Sequence, residues 1–552
     1  MNTAHFKYWP EKLPPSVTVP VTNLCENLAV SAARYPESTA IDFYGCEIPY
    51  AALWERVERF AGYLREQCGV KPGDRVLIDM QNSPAFVVAY YGILRADAVV
   101  VPVNPMNLAD EIEWFAQDTG ARVACIAQEF LGAFQTLADR LPLEHVVVAA
   151  YGDDLVEQPR GTVPQIVAAA KQPVPAGIYS EMSEALTHNR ITGPTTRSGQ
   201  DLAVIVYTSG TTGKAKGCML SHYALNANLV AHAYWESWYP GCVALSTAPF
   251  FHVTGMEGMM NVPLFTGSTM VIMSRWDRKL AADLISHRGI THWINIPTMV
   301  IDLLGLPDID AVDFSRLVFM GGGGAAMPEA VATRLRELAG LDYLEGWGLT
   351  EVAGGIHFNP PGNPKRQCLG IPLFDVDTEI IDIATLSPVG DNEHGEIVTR
   401  CPSLFSGYWN NPQATEEAFV TLNGQSYFRT GDIGYRDADG YYFMADRLKR
   451  MINTSGFKVW PSEVESILYR HPGIQEACVI AVSDPQKGEQ VKALVVRAAA
   501  SDELTEEGLM LWARENMAAY KIPRVIEFID ELPKSASGKV LWRNLQDREN
   551  NQ

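Results

Sequence analysis

The feature that most restricts the fold of this chain is the alternation of short apolar runs with amphipathic segments in its first third. The apolar runs, rich in Val and Ile, predict strands at 76–80, 99–103, 123–127 and 145–149. The segments around them predict helices at 51–67, 83–97 and 108–118. Strands that are apolar on both faces and separated by helices are typical of a buried parallel sheet.

The rest of the chain predicts further packing units. Apolar strands at 202–207, 269–273 and 317–320 repeat the first pattern, whereas short strands between Gly, Asp and Asn turns begin near 362. Helices and strands alternate again from about 451. We therefore expect an α/β protein with a large N-terminal domain (1–445) of two parallel-sheet α/β subdomains and a small β subdomain. A charged stretch at 446–450 is the predicted hinge, and an α+β C-terminal domain (451–552) follows.

Composition excludes several classes of protein. The net charge is 44 − 65 = −21, so most of the surface would repel nucleic acid. The nine cysteines form no CxxC pair, which indicates reduced thiols and no zinc ribbon. The first residues lack a signal-peptide pattern, and the most apolar stretch, 85–103, is interrupted by Arg95 and Asp97. We expect a cytoplasmic protein without a transmembrane segment.

One loop has the composition of a phosphate-binding loop. The strand at 202–207 leads into Thr208-Ser-Gly-Thr-Thr-Gly-Lys-Ala-Lys-Gly217, in which glycines expose backbone N–H groups, hydroxyls donate and lysines neutralise charge. Gly210 and Gly213 are separated by two residues rather than the four of a Walker A loop, and no Ser or Thr follows Lys214. A P-loop phosphotransferase is therefore excluded. Ser209 also lacks the G-x-S-x-G context of a serine hydrolase.

The complete string YTSGTTGKAKG resembles the signature of the adenylate-forming superfamily, which includes acyl-CoA synthetases, luciferases and peptide-synthetase adenylation domains. Six further segments resemble motifs of that superfamily in the same order: 249–255 (PFFHVTG), 321–326 (GGGGAA), 345–351 (EGWGLTE), 429–432 (RTGD), 446–449 (DRLK) and 533–539 (PKSASGK). The sequence of residues 450–461 (RMINTSGFKVWP) most resembles that of bacterial fatty-acyl-CoA ligases.

The resemblance implies a two-step reaction. A carboxylate attacks the α-phosphate of ATP to give acyl-AMP and pyrophosphate, and the thiol of coenzyme A then attacks the acyl carbonyl. It implies Mg²⁺ on Glu351, a donor to the α-phosphate in Thr350, and an adenylation cation in Lys539. The implied nucleotide-binding residues are Thr208, Ser209, Gly210, Thr211, Thr212, Lys216, Gly322, Gly323, Gly324, Glu345, Gly346, Trp347, Thr350, Asp432, Arg447 and Lys539.

The second step implies a change of domain orientation, since pyrophosphate leaves and a thiol enters. We expect a mobile C-terminal domain that pivots at Lys449. The candidate coenzyme A contacts are Arg275, Gly456, Phe457 and Lys458.

The acyl pocket is expected to involve His252, Val253, Thr254, Met256 and Gly322. Methionines at 256, 259 and 260 suit a flexible apolar tail, which favours a medium- or long-chain fatty acid, although they could equally be plain helix core. Glu257 fits such a pocket poorly, and we expect it to face solvent or to pair at the pocket rim.

Three positions depart from the superfamily pattern. Ala215 replaces a usual Pro, Asn453 replaces a frequent Lys, and Glu345 replaces a frequent Gln. None removes a group on which the reaction depends, but the missing cation at 453 affects the second step.

Other interpretations remain open at this stage. An aryl-acid CoA ligase would share the fold and the first step, and an acyl-AMP ligase could load a carrier protein instead of coenzyme A. A homodimer is a possibility that rests on the resemblance alone.

Overall fold

The computed structural model describes residues 3–137, 139–208, 215–454, 457–484, 488–498, 504–534 and 540–550. The chain forms two compact units: a larger one of His5–Asp377 with Arg400–Phe419, and a smaller one of Met1–Ala4, Thr378–Thr399 and Val420–Gln552. The mixed α/β fold is confirmed. The predicted boundaries at 445 and 451 remain predictions.

The first sheet of the larger unit has seven strands. In spatial order they are Tyr179–Glu181, His145–Ala149, Val123–Ala127, Arg75–Asp79, Val99–Pro102, Leu202–Thr208 and Lys216–Ser221. All neighbours are parallel except the last pair. The predicted strands at 123–127 and 145–149 match the observed bounds, because continuous Val and Ile runs with no polar interruption are buried on both faces.

The second sheet of the larger unit has nine strands. In spatial order they are Ile371–Pro372, Gly354–Phe358, Leu344–Leu349, Phe319–Gly322, His292–Asn295, Val243–Ser246, Thr269–Ile272, Thr39–Phe43 and Cys46–Pro49. The central strands are parallel, and the first two and the last are antiparallel to their neighbours. The strand predicted at 317–320 is observed two residues later, because its pairing begins at Phe319 and continues into the glycines that follow.

Helices of the larger unit cover the two sheets. Their bounds are Cys25–Arg34, Tyr50–Glu66, Pro84–Arg95, Ala109–Thr119, Leu131–Thr136, Gln165–Ala168, Met182–Ala185, His222–Trp235, Val253–Met256, Val262–Thr266, Arg278–His287, Pro297–Leu304, Glu329–Ala339 and Pro412–Glu417. A π-helical turn, Glu257–Asn261, joins Val253–Met256 to Val262–Thr266. In the part of the chain that the structure describes, no helix has both the length and the apolarity needed to cross a membrane.

The smaller unit contains two further sheets. One is a small β sheet of Asp377–Ile381, Gly395–Arg400, Gln425–Arg436, Phe419–Leu422 and Tyr442–Arg447. The terminal strand residues Asp377, Arg400 and Phe419 are counted with the larger unit. The other comprises Phe457–Val459, Ile452–Thr454, Gly488–Arg497, Ile474–Asp484 and Val525–Phe528, with helices Pro461–Leu468, Glu506–Asn516 and Trp542–Asn550. This second sheet with its helices is the expected α+β module.

The predicted hinge begins inside a strand. Asp446 and Arg447 end the strand Tyr442–Arg447, and Leu448–Arg450 form a 3₁₀ turn. The buried Asp446 carboxylate accepts from the backbone N–H of Arg447 at 2.6 Å and of Ser462 at 2.6 Å. The N-terminus of the helix Pro461–Leu468 is thereby held against the end of the strand.

Candidate active site

The predicted phosphate loop connects two antiparallel strands rather than a strand and a helix. Thr208 ends one strand, Lys216 begins the next, and the two residues face each other in the pairing register. Both side chains are partly buried. Ser209, Gly210, Thr211 and Thr212 lie outside the described residues.

Glu351 lies in a 3₁₀ turn, Thr350–Val352, that follows the strand Leu344–Leu349. The hydroxyl of Tyr408 donates to Oε1 of Glu351 at 2.8 Å, and the backbone N–H of Phe405 donates to the carbonyl of Glu351 at 2.7 Å. Segment 405–408 therefore fixes both the main chain and the carboxylate of Glu351.

Tyr408 also connects Glu351 to the phosphate loop. The Lys216 ammonium lies 4.9 Å from the centroid of the Tyr408 ring, a cation–π contact. Tyr408 pairs across a β-bridge with Cys218, a thiol whose pKa is raised by burial and by the nearby Glu351 carboxylate. The structure thus brings together Lys216 and Glu351, two predicted nucleotide-site residues far apart in the sequence.

The residues at this position fit a divalent cation held mainly by a nucleotide. Among the described residues, no group of three or more His, Cys, Asp and Glu side chains could hold a metal ion by itself. Mg²⁺ usually takes one or two protein carboxylates and completes its shell with phosphate oxygens and water. The single oriented carboxylate of Glu351 suits that mode.

The predicted glycine segment lies where main chains approach closely. A Cβ atom on Gly322 would stand 1.9 Å from the carbonyl oxygen of Asn295, and one on Gly323 would stand 2.3 Å from that of Gly346. Gly322 also has φ +156°, and Gly324, with φ +88°, is exposed in the following bend. Only glycine fits these contacts, which leave backbone rather than side chains at this edge.

Glu345 and Trp347 lie on the strand Leu344–Leu349. Glu345 is buried, and its two oxygens accept from the backbone N–H groups of Met327 at 2.9 Å and Gln367 at 2.7 Å. Burial raises the pKa of this carboxyl, and the backbone donors oppose that shift. The Glu345 carboxylate is therefore committed to holding neighbouring segments. Trp347 is 7% exposed and meets His357 edge-on at 5.0 Å.

The two predicted ribose residues form an ion pair within the smaller unit. Asp432 and Arg447 are paired across adjacent strands, with Nε of Arg447 2.7 Å from Oδ1 of Asp432. Asp432 is fully buried, while nearly half of the Arg447 side chain is exposed. The guanidinium thus neutralises the carboxylate and keeps an exposed face.

The predicted acyl-pocket segment is held by one asparagine. The Asn82 side chain donates to the carbonyl of Ala248 at 2.9 Å and accepts from the N–H of Phe250 at 2.8 Å, and its own carbonyl accepts from Ser274 at 2.8 Å. His252 follows as an exposed N-cap of the helix Val253–Met256, with Nδ1 accepting from the N–H of Thr254 at 3.3 Å.

The helix beyond His252 buries its methionines. Val253 is 2% exposed, Met256, Met259 and Met260 are all completely buried, and Thr254 is partly buried. The expectation that Glu257 faces solvent or pairs at a rim is wrong, because Glu257 is 2% exposed. It is buried because the π-helical turn directs it towards Asn261 and the helix Pro84–Arg95.

The candidate coenzyme A residues are only partly described. Arg275 is exposed just after the strand Thr269–Ile272. It lies near Glu129, whose pKa is raised by burial, and the Arg275 charge opposes that shift. Lys449 lies in the 3₁₀ turn, and Phe457 and Lys458 lie in a short strand. Gly456 and Lys539 lie outside the described residues. Asn453 is exposed, and its backbone N–H donates to Glu489 at 2.7 Å.

Sequence reasoning missed Tyr408 and Asn82. Neither residue belongs to a charged or Gly-rich motif, and each acts through contacts between segments distant in the chain. The only local signal was the Gly-Tyr-Trp run at 407–409, whose aromatic residues have no chemical role by themselves.

Comparisons with known proteins agree with this geometry. Residues 28–409 match the AMP-binding enzyme family, and residues 463–539 match the AMP-binding enzyme C-terminal domain. The chain is 34% identical to long-chain-fatty-acid–CoA ligases of Escherichia coli O157:H7, over 98% of both chains, and of Bacillus subtilis, over 98% of this chain and 97% of the relative. It is 33% identical to a feruloyl-CoA synthase from an Amycolatopsis species, over 94% of this chain and 97% of the relative.

Solved structures show the same fold. ATP-bound MatB from Rhodopseudomonas palustris superposes with a TM-score of 0.84 at 26% identity, covering 96% of this chain and 99% of MatB. The anthranilate CoA ligase AuaEII in complex with anthranoyl-AMP gives 0.82 at 26% identity, covering 97% and 98% of the two chains. On the family match over most of its length and these near-full-length relatives, the chain belongs to the AMP-binding enzyme family.

Proposed function

We propose that this protein is an AMP-forming acid–CoA ligase that activates a medium- or long-chain fatty acid with ATP and transfers the acyl group to coenzyme A. The observation that carries the proposal is the Glu351 carboxylate, oriented by Tyr408 beside Lys216 at the base of the phosphate loop. This arrangement supports binding of a nucleotide polyphosphate.

The first step joins two anions, so it needs positive charge placed where the negative charge develops. The acid's carboxylate oxygen attacks the α-phosphorus, the bond to the β-phosphate oxygen breaks, and pyrophosphate leaves. Lys216 and the hydroxyls and N–H groups of residues 208–212 are proposed to bind the leaving phosphates. Thr350 would donate to the α-phosphate, and Lys539 would neutralise the approaching carboxylate.

The remaining nucleotide contacts are proposed from residues whose surroundings suit them. Asp432, neutralised by Arg447, would accept from the ribose hydroxyls. The close-packed backbone of Gly322, Gly323 and Gly346 would border the adenine, with Trp347 beside it. Glu351 would hold Mg²⁺, which would supply charge neutralisation to the phosphates when bound.

In the second step the thiolate sulfur of coenzyme A attacks the acyl carbonyl and AMP leaves. We propose Lys449 as the pivot for the change of orientation before this step, because it follows a strand end that Asp446 holds firmly. Arg275, Gly456, Phe457 and Lys458 are the proposed coenzyme A contacts.

Two classes of carboxylic acid are candidates for the substrate. The long-chain-fatty-acid–CoA ligases and the buried methionines around Met256 favour an alkyl acid. The feruloyl-CoA synthase and the anthranilate ligase favour an aryl acid as the alternative. An acyl-AMP ligase that loads a carrier protein is a third reading. We further propose a cytoplasmic location, in keeping with nine free thiols, and a possible homodimer.

The experiment is a two-part assay with purified protein. Pyrophosphate release is measured with a panel of alkyl and aryl acids, and product formation is then followed with and without coenzyme A. An alkyl acid should give the highest kcat/KM, the thioester should require coenzyme A, and Lys539→Ala should abolish acid-dependent exchange of pyrophosphate into ATP. Preference for benzoate or cinnamate over every alkyl acid would favour the alternative, and undiminished exchange in Lys539→Ala would contradict the mechanism.

A further inference from the structure

A buried polar cluster lies beside the methionines of the acyl-pocket segment. It consists of Glu257, Asn261, Tyr90 and Tyr91, each no more than 2% exposed. Glu257 and Asn261 begin and end the π-helical turn, and the two tyrosines come from the helix Pro84–Arg95. Isolated π-helical turns within α-helices are frequent at functional sites. None of these four side chains is among the residues proposed above for the nucleotide, Mg²⁺, the acyl pocket or coenzyme A.

Most of the polar groups in the cluster are hydrogen-bonded to one another. Tyr91 donates to Oδ1 of Asn261 at 2.8 Å, and Nδ2 of Asn261 donates to Oε1 of Glu257 at 2.6 Å and to the Tyr90 hydroxyl at 3.3 Å. Asn261 therefore uses both of its donor hydrogens, and its oxygen accepts one bond. It holds the other three side chains in place.

Two groups of the cluster remain unmatched. Oε2 of Glu257 has no hydrogen-bond partner among the described residues. Tyr90 accepts from Asn261, but within the same part of the chain its own O–H is hydrogen-bonded to no acceptor. Burying a carboxyl oxygen without a partner costs about 1–3 kcal/mol or more, so such an oxygen in a native protein normally meets a water molecule, an ion or a ligand group. The pKa of Glu257 is accordingly raised by burial.

The chemistry of the two unmatched groups selects one kind of ligand. A hydroxyl can accept from the Tyr90 hydroxyl and at the same time hydrogen-bond to Oε2 of Glu257, as a donor to the carboxylate or as an acceptor from the protonated carboxyl. An ammonium group could donate to Glu257 but would leave the Tyr90 hydrogen unmatched, and an alkyl group would satisfy neither. A hydroxyl group of the ligand, in the position that a water molecule takes in its absence, is therefore the complementary partner.

The position of the cluster relates it to the acid substrate. Glu257 directly follows the completely buried Met256 and precedes Met259 on the same helical segment. At 1.5 Å rise per residue it lies roughly 7 Å along the axis from His252. A group that reached it would be distant from the carboxylate that reacts at the nucleotide.

We propose that Glu257 and Tyr90 form a recognition site for a hydroxyl group on the acid, so that the preferred substrates are hydroxylated carboxylic acids. This inference rests on the proposed ligase function and specifies its substrate class. An aliphatic hydroxy acid and a phenolic acid present the same group, and the test below distinguishes them.

The test compares matched pairs of acids that differ by one hydroxyl: octanoate with ω-hydroxyoctanoate, hexadecanoate with ω-hydroxyhexadecanoate, and cinnamate with para-hydroxycinnamate. kcat/KM is measured by pyrophosphate release for each acid. The wild-type protein should prefer the hydroxylated member of at least one pair, and the pair identifies the aliphatic or phenolic source. Tyr90→Phe and Glu257→Met should each lower that preference roughly ten- to a hundredfold. Glu257→Gln, which keeps a polar oxygen, should retain part of it.

Tyr50→Phe is the matched control, because it removes a fully buried hydroxyl that donates to the backbone carbonyl of Ser268, outside the cluster. It should leave the preference as in the wild type. Thermal unfolding of every variant shows whether it folds; if Glu257→Met does not, Tyr90→Phe carries the test.

Three results would overturn the inference: no pair in which the hydroxylated acid is preferred, a preference unaffected by Tyr90→Phe, or a stronger preference for ω-amino-octanoate over ω-hydroxyoctanoate. If the proposed ligase function itself were wrong, the result would differ, because no acid of any kind would support ATP-dependent pyrophosphate release.

Discussion

Replacing Tyr408 by Phe removes one hydroxyl from the candidate active site. That hydroxyl donates to Oε1 of Glu351 at 2.8 Å, and Tyr408 is 9% exposed. The ring itself should remain in place, because its edge-on contact with Phe405 at 4.9 Å and its cation–π contact with Lys216 do not need the oxygen. The variant therefore changes how firmly the carboxylate is oriented and little else.

The size of the effect follows from the type of bond. A hydrogen bond to a charged group contributes about 1.5–3 kcal/mol, which corresponds to about a ten- to hundredfold change in an equilibrium or rate. We expect Tyr408→Phe to weaken binding of Mg²⁺-ATP and to slow acid-dependent pyrophosphate exchange by factors in this range. The free energy of unfolding should change by about 1 kcal/mol or less, since the lost partner is a half-buried carboxylate that water can reach.

The assay combines isothermal titration calorimetry of Mg²⁺-ATP, without acid, and pyrophosphate exchange with it. Tyr50→Phe serves as the control, because Tyr50 is fully buried and donates to the carbonyl of Ser268 at 2.6 Å, away from Glu351. It should lower the melting temperature and leave nucleotide binding unaltered. Wild-type nucleotide affinity and wild-type exchange in Tyr408→Phe would refute the role of Tyr408 in orienting Glu351.

Three further predictions concern the hinge, the glycine segment and a buried histidine. Lys449→Pro should slow thioester formation far more than acyl-AMP formation when the two steps are measured separately, and equal loss of both would refute the pivot. Gly322→Ala places a Cβ 1.9 Å from the backbone carbonyl of Asn295 and should destabilise the protein by several kcal/mol in denaturant unfolding, whereas Gly132→Ala, a helical position with open space, should be neutral or stabilising by about 0.4–1 kcal/mol. Burial lowers the pKa of His222 to about 4, so on acidification the unfolded chain binds a proton at this histidine before the folded protein does. The neutral, buried His222 therefore contributes about 3 kcal/mol to the free energy of unfolding above pH ~6.5, and this contribution is lost as the pH falls towards 4. His222→Gln should flatten the pH dependence of the melting temperature over that interval, and an unchanged slope would contradict the assignment.

The elements that the sequence predicted well are those determined by local pattern. Val123–Ala127 is apolar throughout, so its strand could be placed from its own residues, and so could the helix that contains Leu53 and Val57. The resemblance to the adenylate-forming superfamily implied Asp432 and Arg447 as the ribose residues, and that role stays a prediction. Their pairing across adjacent strands could not be read from the sequence and is known only from the structure.

What could not be predicted depends on contacts between distant segments. Tyr408 lies 57 residues from Glu351, and no property of an isolated tyrosine indicates which carboxylate it will meet. Glu257 was expected to face solvent or to pair at the pocket rim because a carboxylate suits an apolar pocket poorly. Its burial results from the packing of the helix Pro84–Arg95 against the π-helical turn, which no local periodicity reports.

The hydrogen bonds from the Asn82 side chain to residues 248–250, just before His252, matter for redesign of the enzyme. Both partners of its side chain, at Ala248 and Phe250, are main-chain groups. Under the proposed acyl-pocket role of that segment, substitutions among its side chains should alter which acid is accepted while the main chain that carries them keeps its position. Libraries that vary this stretch should therefore keep the asparagine constant.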